Sequence, residues 1–184
     1  GPARSRVHAR QSCRKAFHYI RRRPKRQAGG CAVPTNDGSS TVQGVVLDTN
    51  AVLDWLVFRN PGMQAWVQAI ESGRLHWLAC AAMRDELTRT LNYAQLARWQ
   101  PEPGQVLAAF DRWSVACAVP TSQRAPGLIC SDPDDQVFLD LGLAQKARWL
   151  VTHDRALLRL ARAARRYGLL VVRPATGKSE LADP

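Results

Sequence analysis

Val45-Val46-Leu47-Asp48-Thr49-Asn50 is the stretch on which the fold turns. Two β-branched residues and a leucine run straight into a carboxylate, and Asn50 stands where it can cap a helix over 51–58. A short, wholly apolar run of this kind marks a strand buried on both faces, as in a parallel sheet. Similar runs recur downstream at 76–80, 115–119, 149–152 and 169–172. Helical patterns lie between them. Asn60-Pro61-Gly62 stops the first helix, and Pro61 opens a second that Gly73 ends. Over 81–91, Met83, Leu87 and Leu91 fall on one stripe. A loop at 99–103 precedes a helix over 104–113, and a loop over 121–133 precedes one over 134–146, with Val137, Phe138, Leu141 and Ala144 inward. The last helix spans 154–166 and is closed by Gly168. Short strands alternating with helices imply parallel βαβ units with right-handed crossovers, and hence an α/β fold with both sheet faces covered. Ligands in such folds bind beyond the carboxyl ends of the strands.

The 184 residues suffice for one such domain and a tail. The net charge of +11 is unevenly spread: residues 1–30 hold ten Lys or Arg and no acid, leaving sixteen bases against fifteen acids in the rest. Residues 1–43 therefore read as a disordered basic arm and linker, with Arg21-Arg22-Arg23-Pro24-Lys25-Arg26 self-repelling and Pro34–Ser40 unable to bury a core. Three readings fit the arm. It binds RNA, with Phe17 and Tyr19 offering stacking surfaces; it is a targeting segment; or, since the first methionine is Met63, it lies upstream of the working protein. The domain is expected over 44–174, with a tail over 175–184. Neither a long apolar span nor a secretory leader is present in the sequence, so a cytoplasmic protein without a membrane segment is expected. Five cysteines without CxxC spacing argue against a disulfide framework or a zinc site, and Cys80, Cys117 and Cys130 read as small buried hydrophobes.

The acids carry the chemistry. Asp48 follows the first strand and Asp154 closely follows the fourth; parallel strands end on one edge, so both carboxylates face the same crevice. Asp132, Asp134 and Asp135 lie in the turn before a helix, and Glu86 flanks the apolar stripe of another. Each acid alone has a simpler explanation, as a helix cap or a solvated side chain. Gathered on one edge they repel unless a cation neutralises them. An all-oxygen donor set suits Mg²⁺ or Mn²⁺ rather than zinc. Such an ion activates water and stabilises charge on a phosphate, which is nuclease chemistry.

These segments resemble the motifs of the PIN-domain family. Val45–Asn50 resembles the opening motif, and Met83–Leu91 with Glu86-Leu87 the second. Ser131-Asp132-Pro133-Asp134-Asp135, Phe138–Leu141 and Leu150-Val151-Thr152-His153-Asp154 resemble the third and fourth. The likeness covers about residues 44–174 and is strongest to the toxins of bacterial toxin–antitoxin pairs. It implies a three-layer α/β/α domain with a five-stranded parallel sheet and a Mg²⁺- or Mn²⁺-dependent endoribonuclease site. By position Asp48, Glu86, Asp135 and Asp154 match its acidic quartet; Asp132 matches an acid common in that branch, which leaves open whether Asp132 or Asp135 is the closer metal ligand. Asn50 and Thr152 match its supporting polar positions. RNA substrate, a cognate antitoxin and a homodimer are the implied partners.

Other residues are read more plainly. Asp54 and Asp140 are expected at the surface, His76 in the core or at an edge, and His153 exposed or against a phosphate rather than as a base. Arg155, Arg159 and Arg162 of the last helix either guide RNA phosphates or form a solvated face. The tryptophans read as core, with Trp55 and Trp66 held open as surface for a dimer or antitoxin. Competing functions are a housekeeping RNA-processing nuclease and a non-catalytic RNA- or protein-binding module of this fold. A phosphatase using an aspartyl nucleophile needs a second Asp two residues after Asp48, where Asn50 stands.

Overall fold

A computed structural model describes residues 42–118, 125 and 127–182. The basic arm, apart from its last two residues, lies outside the described residues, as do residues 121–124 and 126 of the loop read over 121–133. The described chain forms five strands: β1 (Gln43–Leu47), β2 (Leu75–Ala79), β3 (Ser114–Ala116), β4 (Trp149–Val151) and β5 (Leu170–Val172). All neighbours pair in parallel, in the order β3-β2-β1-β4-β5. The five-stranded parallel sheet flanked by helices is the architecture expected from the sequence.

β1 lies at the centre, so Val45, Val46 and Leu47 are fully buried. Gly44 packs closely against β2: a Cβ there would stand 2.6 Å from Leu78 Cδ1 and make that side chain shift. The chain builds outward from β1 to β2 and β3, then crosses back to β4 and β5. The switch point, where a crevice opens in such sheets, therefore lies between β1 and β4. Asp48 donates its amide to the Val151 carbonyl (3.1 Å) at that point.

The helices are α1 (Thr49–Leu53), α2 (Gln64–Glu71), α3 (Ala81–Leu91), α4 (Pro103–Trp113), α5 (Gln136–Ala144), α6 (Arg155–Arg159), α7 (Ala161–Arg165) and α8 (Gly177–Glu180). α5 packs against β1, β4, β2 and α3, while α6 and α7 pack on β5. Gly73 and Gly168 end their segments at φ of 77° and 84°, the left-handed region in which a side chain is strained.

Several local expectations need correction. Asp48, not Asn50, caps α1: its Oδ1 accepts the Ala51 amide at 2.6 Å. The helix then widens into a π-helical turn over Asp54–Phe58. α5 begins at Gln136, two residues later than read, and leaves Ala144 exposed. The last helix breaks at Leu160 into α6 and α7. Trp55 and Trp66 are 5% and 0% exposed, so neither offers surface to a partner. Trp55 packs with Trp77 (5.4 Å between centroids), Trp77 edge-on with Phe110 (4.8 Å), and Trp66 edge-on with Trp149 (5.7 Å). The Trp66 indole donates to the Pro174 carbonyl (2.9 Å), and Gly177 lies against the same ring. This docks α8 onto α2, past the last element read from the sequence. Among the described residues no helix is long and apolar enough to cross a membrane.

Candidate active site

Two carboxylates sit at the switch point because two strands end there. Asp48 closes β1 and is 2% exposed. Beside its Ala51 bond, its Oδ2 accepts the hydroxyl of Thr152, the fully buried residue that follows β4. Thr152 Oγ1 in turn accepts the Asp154 amide at 2.8 Å. Asp154 caps α6, its Oδ1 accepting the amides of Ala156 (2.5 Å) and Leu157 (3.2 Å). One threonine hydroxyl therefore ties the ends of both central strands together.

α3 brings in Glu86. Its Oε1 accepts the hydroxyl of Thr49 at 2.8 Å, which fixes the carboxylate against the first turn of α1. Asp135 comes from the turn before α5 and is partly buried. That turn is clamped by Gln136, which is 5% exposed. The Gln136 side chain donates to the Leu128 carbonyl (3.0 Å) and to Asp140 (2.7 Å), and accepts the Cys130 amide (2.7 Å). Asp132 and Asp134 are exposed, and Asp132 accepts the Asp134 amide in an Asx turn.

The acids feel one another. The Asp135 carboxyl is pushed up to about 7, first by burial and then by the charges of Asp154, Asp132, Asp48 and Glu86. Burial pushes Asp48 up to about 6, against Thr152 and the Ala51 amide, which favour its charged form. Glu86 is raised by burial and by Asp134 and Asp132, while Thr49 and Arg89 oppose the shift. Burial also raises the Cys130 thiol, and Asp135, Asp154 and Asp132 add to the effect. A thiol held protonated is a poor metal ligand.

Asp48, Glu86, Asp132 and Asp154 are thus all near enough to Asp135 for their charges to act on it. Thr152 holds Asp48. Asn50, matched to a supporting position, is exposed on α1. Three participants had no sequence signal of their own: Thr49, Gln136 and Asp54. Asp54 is 7% exposed rather than at the surface; its Oδ2 lies 2.6 Å from His153 Nε2 and accepts from Asn60 Nδ2 at 2.8 Å. Asp140 is likewise partly buried, bonded to Gln136. His153 itself is exposed.

The donor set fits a hard divalent ion in its chemistry. It is all oxygen, its charges are mutually repulsive, and among the described residues no hydrogen bond engages the Asp135 carboxylate, Asp154 Oδ2 or Glu86 Oε2. Among the described residues no three His, Cys, Asp or Glu groups close on one point.

Fold and site together define an α/β protein with a carboxylate crevice at the switch point of a parallel sheet. A PIN-domain family model matches residues 44–156, more than half the chain, and the chain belongs to that family. PIN domains are generally nucleases and typically use divalent metal ions. The comparison with curated proteins gives no match.

Proposed function

We propose that this protein is a divalent-metal-dependent endoribonuclease. The observation that carries the reading is the shared electrostatics of the crevice. Asp135 is raised to about 7 by burial and by four other carboxylates, and a bound dication relieves that repulsion. Asp48 and Asp135 would hold Mg²⁺ or Mn²⁺, with Asp154 and Glu86 completing the shell directly or through water and Asp132 at the entrance. When bound, the ion lowers the pKa of a coordinated water and stabilises charge on the scissile phosphate. Thr152 keeps Asp48 oriented, Thr49 does the same for Glu86, and the Gln136 clamp fixes the turn that carries Asp135.

The resemblance to the toxin branch supports a role as the toxin of a toxin–antitoxin pair, working as a cytoplasmic homodimer that a cognate antitoxin silences by covering the crevice. The test is cleavage of a total RNA pool by the purified protein with Mg²⁺, Mn²⁺ or EDTA, beside Asp48→Asn and Asp135→Asn. We expect discrete fragments that require metal and a rate lower by on the order of 10²-fold or more in both variants. Metal-independent cleavage, or full activity in both variants, sinks the assignment.

A further inference from the structure

We propose that Arg155, Arg159 and Arg173 form a subsite that holds a phosphate of the RNA backbone next to the acidic crevice. This rests on the nuclease reading and names how the substrate is gripped. The three arginines and Leu158 line an open cavity of about 290 Å³. No carboxylate lines it, although Asp154 directly precedes Arg155 in the chain. Arg155 and Arg159 stand four residues apart, hence on one face of α6. Arg173 comes from a different element, directly after β5. Val151 pairs with Val172 and the Thr152 amide donates to the Val172 carbonyl (2.9 Å), so Arg173 lies level with Thr152, at the strand edge that leads into Asp154. All three arginines are exposed, and among the described residues none of their guanidinium groups has a hydrogen bond or ion pair.

Three unneutralised guanidiniums around one concavity repel each other and lower that cost by sharing an anion. Guanidinium matches phosphate oxygens in a bidentate fork. A polyanionic substrate entering a ring of carboxylates needs positive charge beside it, and this cavity supplies it where Asp154 ends and Arg155 begins. The break at Leu160 matters here: Arg162 and Arg165 belong to α7 and do not line the cavity. The structure therefore selects Arg155 and Arg159 from the arginine-rich segment and adds Arg173, which the sequence did not single out.

The test is fluorescence anisotropy of a short single-stranded RNA with the full chain in EDTA, across a KCl series. We expect Arg155→Ala, Arg159→Ala and Arg173→Ala each to weaken binding roughly 3–10-fold and to reduce the salt slope by up to about 0.7, the value for the one single-strand phosphate contact they share. Arg166→Ala, exposed but outside the cavity, is expected to change neither. The Mn²⁺-induced rise in melting temperature should match wild type in all four, which reports an intact fold and metal site. An equal loss in Arg166→Ala overturns the subsite, because diffuse charge then explains the binding. So does an unchanged slope in Arg173→Ala, or displacement of the RNA by inorganic phosphate at the RNA's own concentration. Metal-dependent cleavage with unaltered RNA affinity in the arginine variants sinks the subsite and leaves the nuclease standing. Arginine-dependent binding without any metal effect does the reverse.

Discussion

The Thr152 hydroxyl donates to Oδ2 of Asp48 across the junction of the two central strands while its oxygen accepts the Asp154 amide. A single buried hydroxyl thus orients one carboxylate and fixes the chain that carries another. Thr152→Val keeps the shape and removes both bonds. Leaving a buried carboxylate oxygen and a part-buried amide without partners costs about 1–3 kcal/mol. The expected outcome is a lower melting temperature and a fall in cleavage rate. Thr152→Ser, which keeps the hydroxyl, should recover the rate, and equal rates in the two variants would contradict the role given to that bond.

Asp48 and Asp135 ionise at higher pH in the folded chain than their ordinary value of 3.8, at about 6 and about 7. Between about pH 4 and pH 7 the folded state therefore holds more protons than the unfolded one, and the stability contributed by these groups falls as pH rises through that window. Asp135→Asn removes the ionisation and should raise the melting temperature of the metal-free protein at pH 8. After discounting for partial exposure, a gain of about 1 kcal/mol corresponds to about 2–4 °C. Below the ordinary value of 3.8, where Asp135 is protonated in both states, the variant and wild type should converge. A thermal-shift series across pH checks both points.

Mn²⁺ should raise the melting temperature of wild type at pH 8 and do so much less at pH 5, where protons compete for the raised carboxyls. Asp48→Asn and Asp135→Asn should each reduce the shift at pH 8. A shift of equal size at both pH values would place the ion elsewhere.

Asp54 anchors His153 and Asn60 from a nearly buried position. Asp54→Ala strands both partners and is expected to cost about 1–3 kcal/mol in urea unfolding. His153→Ala alone should cost less, because it exposes the Asp54 oxygen to water. The reverse order would mean that the pair is not what holds the π-helical turn.

Gly177→Ala would place a Cβ 2.7 Å from Trp66 Nε1, closer than packed atoms tolerate. Overpacking of this kind costs about 1–3 kcal/mol. Loss of α8 docking would be seen as earlier unfolding and a change in tryptophan fluorescence. A neutral effect would show that the C-terminal residues lie free of the body.

The sequence by itself determined the sheet and the strand ends. Apolar runs with turn residues between them require parallel βαβ units, and an acid directly after such a run must stand at the carboxyl edge; these are local periodicities that neighbours in the chain enforce. Only the tertiary structure decided what each acid meets. Thr49 reaches Glu86 across 37 residues, Asp54 reaches His153 across 99, and Thr152 reaches Asp48 across 104. Asp54 looked like a surface residue for the same reason: its burial comes from a histidine on another strand end, with no trace in its own neighbourhood. The break at Leu160 and the arginine that β5 delivers beside α6 are likewise products of packing. Pattern fixes where a residue sits along its element, whereas a pairwise contact depends on the register of two elements brought together by burial of the core.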